Sequence, residues 1–132
     1  MKTFEVQAEQ WGRFCKRVTE LHRGALISIR IEQPDASHRV VVADEPLRAL
    51  VLDNQSDACN NILVIETGMP GQKGEQHRIV EPMHIRLKHG PDNRYNEMNI
   101  LAESGTTVLT LHPGLNAESI GEFASGHLSL RG

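Results

Sequence analysis

The chain has 132 residues, 39% of them apolar and 23% charged, which is the size of one ordinary domain with room for a single core. Its 14 basic and 17 acidic residues leave a net charge of -3, which argues against DNA and against anionic membranes as partners. No apolar run approaches the roughly 20 residues of a membrane span, and the opening Met-Lys-Thr-Phe-Glu-Val lacks the apolar stretch of an export signal, so a cytoplasmic domain is expected.

From Gln7 to Arg23 the apolar residues Trp11, Phe14, Cys15, Val18 and Leu21 recur at helical spacing, which predicts an amphipathic helix with all five on one face. Gly24 supplies a left-handed stop, and His22 and Arg23 place donors beside the last carbonyls. After Gly24 the period drops to two: Ile27, Ile29 and Ile31 alternate with Ser28, Arg30 and Glu32, as a strand with one wet face requires. Pro34 to Ser37 is turn chemistry. A valine-rich strand from His38 to Ala43 is expected to break at Asp44-Glu45-Pro46, followed by a third strand from Leu47 to Leu52. Beyond a polar loop, Ile62 to Glu66 reads as a fourth strand, and the glycines at 68, 71 and 74 as a long turn. A fifth strand is predicted over Gln76 to Lys88 with a bend or bulge at Pro82, a sixth over Asn96 to Ala102, and a hairpin at Ser104-Gly105 leading into Thr106 to Leu111.

Six or seven strands with short turns and no second helix between them predict a mainly β fold, with α+β as second choice. The expected form is an antiparallel meander curled into a sheet or small barrel and packed by one N-terminal helix. Three of the five aromatic residues (Phe4, Trp11, Phe14) lie in the first 14 positions, so the helix is expected to supply the bulky plug. The single domain divides into a helix at about 7–23, a β body at about 25–112 and a tail at 113–132, in which Asn116 to Phe123 has the composition of a short capped helix and the end looks frayed.

The order of Trp11-x-x-Phe14, His22-Arg23-Gly24, Pro46-Leu47, a strand ending at Asp53, Ile62-x-Val64, His77-x-Ile79 and Gly105-x-x-x-Leu109 resembles a family of short bacterial proteins classed as a domain of unknown function. The resemblance spans about residues 4 to 112. It implies a bacterial single-domain protein with an N-terminal helix and a β-rich body, and it transfers no activity and no catalytic residues.

The 7 histidines invite a metal reading, with His77, His84 and His112 as the candidates. Neighbouring histidines an odd number apart point to opposite faces of a regular strand, and no HExxH or similar chelate is present, so no metal and no cofactor is expected. Protonating every imidazole would carry the net charge from -3 to about +4. His22 and Arg23, beside the Gly24 turn, are candidates for contact with an anion or a partner, against the plainer role of capping the helix. Arg13, Lys16, Arg17 and Arg23 line the polar helix face, where Glu9 to Arg13 and Lys16 to Glu20 are spaced for local ion pairs.

Asp53 to Asp57 opens like a calcium loop but has Ala58 where glycine is needed and Val64 where a glutamate should close it. The glycine turn lacks the GK[ST] ending of a phosphate loop, and no GxSxG elbow occurs. Cys15 is expected to be buried and inert, and Cys59 exposed in a polar loop without a base. Tyr95 is the only aromatic between 15 and 122, which leaves no stacking platform for single-stranded nucleic acid. The expected function is a non-catalytic interaction or small-ligand-binding module, with a homodimer, another protein or a small molecule as partner. The alternative is a small metal-dependent or hydrolytic enzyme built on histidines of the β body.

Overall fold

The computed structural model describes residues 3–54, 61–90, 92, 94–116, 118, 120 and 123. It is mainly β and antiparallel, with one short helix near the N-terminus. The strands are β1 (Thr3–Val6), β2 (Leu26–Glu32), β3 (His38–Asn54), β4 (Asn61–Thr67), β5 (Glu75–Val80), β6 (His84–His89), β7 (Arg94–Ala102) and β8 (Gly105–Asn116). They form one sheet in the order β1-β6-β7-β8-β2-β3-β4-β5. Two local meanders, β2 to β5 and β6 to β8, are joined where β2 pairs with β8, and β1 is added beside β6.

The sheet is open, not the small barrel given as one expected form, and the described residues make eight strands where six or seven were expected. Two of the differences come from left-handed residues. Asp44 (φ 52°) forms a bulge instead of ending a strand, because the Ser28 hydroxyl accepts its N–H at 3.1 Å. The chain therefore runs through Pro46 as one strand, pairing with β2 before that point and with β4 after it. Conversely, the run expected to be one strand from Gln76 to Lys88 is cut at Glu81 (φ 52°) and Pro82. Its halves, β5 and β6, belong to different meanders. The linker is tied to both, since Glu81 N–H reaches the Asn61 carbonyl at 2.8 Å and Met83 N–H the Leu101 carbonyl at 2.7 Å.

The helix α1 (Trp11–His22) follows a single 3-10 turn (Ala8–Gln10), so the α-helical part is shorter than the expected span. Trp11, Phe14, Cys15 and Val18 are buried as the spacing requires, and the Trp11 indole N–H donates to the Val6 carbonyl at 2.9 Å. Leu21, expected on that face, is 51% exposed. At about 100° per residue, His22 falls nearer the middle of the buried arc than Leu21 does. Gly24 takes the expected positive φ, and Ala25 N–H bonds the His22 carbonyl.

The core is the inner face of the sheet, with Ile27, Ile29, Ile85, Leu87, Met98, Ile100 and Leu109 in one buried cluster with the helix residues Trp11, Phe14, Cys15 and Val18. β8 extends through Pro113 to Asn116, beyond the limit expected for the β body. Ile120 and Phe123 of the tail are buried, with the Phe123 ring edge-on to Phe14 at 5.4 Å. The short helix expected over Asn116 to Phe123 lies largely outside the described residues, as does the frayed end.

Candidate functional site

Helix α1 packs chiefly on β3. The reason lies in the sheet topology: once β3 leaves β2 near Pro46, one of its edges has no neighbouring strand, and the helix covers part of it. Leu47 exchanges 2.8 Å bonds with Gly24 N–H and the Ala25 carbonyl. Leu50 N–H donates to Thr19 Oγ1 at 2.8 Å, while that hydroxyl has the Cys15 carbonyl at 2.9 Å and the Leu50 carbonyl at 3.1 Å for its one proton. By the two-residue alternation of a strand, Leu52 turns its N–H and C=O to the same side. Among the described residues nothing bonds them there.

This bare edge lines an open cleft of about 380 Å³ between α1 and β3. Its floor is Cys15, Leu50 and Leu52, its helix wall includes Gly12 and Thr19, and Lys16, Glu20 and Arg23 stand at the rim. A Cβ added at Gly12 would meet nothing within 4 Å. Burial pushes the Cys15 thiol up to about 12, so it closes the floor as an inert apolar group, as expected from sequence.

His22 and Arg23 are adjacent in sequence but are not presented together. Arg23 is exposed at the cleft, whereas His22 is half-buried, with Nε2 lacking a hydrogen-bond partner among the described residues. Burial, and then the charge of Arg94, lower the His22 pKa and favour the neutral ring. Two of the helix cations lie over Phe123: the Arg13 and Arg17 guanidiniums are 5.8 and 5.7 Å from its ring centroid.

The candidate metal histidines fall on three strands, His77 on β5, His84 on β6 and His112 on β8. Among the described residues no three potential ligands gather. His77 is half-buried, and its pKa is lowered by burial and by Arg39, partly offset by Glu75. His84 Nδ1 lies 2.5 Å from Glu5 Oε2, and Arg86 Nε 3.3 Å from Glu5 Oε1. The hydrogen bond with His84, opposed by burial and assisted by Arg86, lowers the Glu5 pKa. His112 is exposed. Cys59 and most of the Asp53 to Asp57 segment lie outside the described residues.

The glycine turn at 68, 71 and 74 is organised from within. Arg48 Nη2 donates to the Met69 carbonyl at 2.7 Å and also to that of Gln72, filling the space over Gly68 and Gly74.

No protein-family model, curated protein or solved structure matches the chain. No described helix is long and apolar enough to cross a membrane.

Proposed function

We propose that this chain is a binding module whose ligand is a short extended peptide, laid along β3 in the cleft beside α1. The observation that carries this reading is the bare edge at Leu52, set between an apolar floor and a helix wall. An extended peptide answers both features, because its backbone completes the edge hydrogen bonds while alternate side chains drop against Leu50, Leu52 and the helix. Lys16, Glu20 and Arg23 at the rim would select among ligands by charge and contribute little to affinity.

The test is selection from a displayed library of random short peptides, followed by titration of the best binder into isotope-labelled protein. The Leu52 amide should shift and become protected from exchange. Gly12→Leu, which fills open space at the cleft wall and favours the helix, should raise Kd about tenfold or more without lowering Tm. A selected peptide that leaves the Leu52 amide unprotected, or binds Gly12→Leu equally well, would remove the cleft as the site.

A further inference from the structure

The outer face of the sheet, turned away from the core and separate from the cleft, carries an ordered row of polar side chains. Backbone register sets Glu5 of β1 beside Arg86 of β6, Arg86 beside Asn99 of β7, Asn99 beside Val108 of β8, and Val108 beside Arg30 of β2. All five residues alternate with inward-facing core positions, so they share the outer face. Val108 is the short member of the row and lies low between its neighbours, 2% exposed. Above it is a depression of about 290 Å³ whose walls include Arg30, Arg86, Lys88, Glu97, Asn99 and Thr106.

The hydrogen-bonding groups around this depression are unevenly committed. Each nearby carboxylate has a cation beside it: Glu5 has Arg86, with the His84 ring as a further hydrogen-bond partner, Glu32 has Arg30 at 2.9 Å, and Glu97 has Lys88 at 3.4 Å. The donors are not used up. Arg30 spends Nε and Nη2 on Glu32 and keeps Nη1. Arg86 spends only Nε, on Glu5, and keeps both terminal nitrogens. The Asn99 carboxamide has no bond among the described residues. Guanidinium donors cannot be switched off by deprotonation, and a planar pair of terminal N–H groups matches two oxygens of a carboxylate or phosphate.

We propose that this depression is a binding site for an oxyanion, a carboxylate or a phosphate group, held by the free end of Arg86 with Asn99 and Arg30. The charge already balanced around it makes recognition depend on hydrogen-bond geometry more than on long-range attraction. Strands on both sides fix the donors, so binding needs little rearrangement.

The test is titration of the labelled full chain with sodium phosphate and, separately, sodium acetate, each against sodium chloride at equal ionic strength. The readouts are the Arg86 guanidinium and Asn99 carboxamide resonances. A saturable shift with either oxyanion, beyond that with chloride, is expected, and which anion produces it identifies the group preferred. Asn99→Asp, nearly the same shape but carrying an acceptor in place of donors, should weaken binding about tenfold or more. Arg86→Gln should abolish it, and because Arg86 also holds Glu5, the Asn99 variant provides an independent reading. Absence of a saturable shift with both anions, an equal response to chloride, or unchanged binding in Asn99→Asp would overturn the assignment.

Discussion

Replacing Thr19 by Val tests whether the helix serves as the missing neighbour of β3. Valine keeps the β-branched shape and nearly the helix propensity of threonine, so the change isolates the hydroxyl. In the native protein that hydroxyl accepts the N–H of Leu50, a residue 2% exposed, and its proton goes to the Cys15 or Leu50 carbonyl. Its loss leaves a buried N–H without an acceptor, a cost of about 1–3 kcal/mol. Taking about 2 kcal/mol, and an unfolding entropy of about 0.28 kcal/mol/K for a chain of this length, Tm should fall by about 7 °C. Thermal unfolding followed by circular dichroism measures this, with native-state exchange of the Leu50 amide reporting the local change. Thr19→Ser, which retains the bonds, should lose less than half as much. A Thr19→Val protein melting within about 2 °C of wild type would refute the reasoning, since the edge would then be stable without its cap.

Gly74→Ala should destabilise by about 1–3 kcal/mol in urea unfolding, because its Cβ would collide with the Thr67 carbonyl oxygen and lie 2.7 Å from Arg48 Nη1. Phe14→Ala removes the ring that meets Phe123 and should cost about 3–5 kcal/mol, read as a lower urea midpoint. His22 and His77 have folded pKa values below the ordinary 6.5, so the unfolded chain binds more protons as pH falls through that value. Stability should therefore be full above about pH 7 and decline on acidification, less steeply in the His22→Gln, His77→Gln double variant; equal declines in the two proteins would contradict this. Glu5 adds a lower window, because its depressed pKa contributes stability above the ordinary 4.5 that is lost as pH falls through the folded value. Glu5→Gln should flatten the urea midpoint between pH 5 and about pH 3.

Elements whose signal is local and periodic were legible in the sequence. The Ile27, Ile29, Ile31 alternation gives β2, and the spacing from Trp11 to Val18 gives the buried helix face. β1 was missed because Thr3 to Val6 is too short to display a period, and its place in the sheet depends on β6, 79 to 85 positions later. The errors at Asp44 and Glu81 have a common origin. Whether an L-residue takes a left-handed conformation there depends on distant partners, the Ser28 hydroxyl in one case and the Asn61 carbonyl in the other. Proline chemistry alone therefore predicted a break where the strand continues and a continuation where it breaks. The cleft was hidden for a related reason: its open edge exists because β3 changes partners, and Thr19 meets Leu50 across 31 positions. The outer-face row was half visible, since Arg86 and Lys88 alternate with Ile85 and Leu87. The commitment of Glu5 to Arg86 was not.

The order of the strands also sets how the chain can fold. Each meander is built from hairpins between neighbours in sequence, which close quickly. The β2–β8 seam instead joins segments roughly 80 residues apart, with a large loop-closure entropy to overcome. The three-residue bridge at 81–83 reduces that search, because it tethers the second meander to the outer end of the first before the seam forms. Lengthening this bridge with a flexible insert would slow folding while leaving the strand pairings in place, and so separate the rate of assembly from the pairing of the assembled sheet.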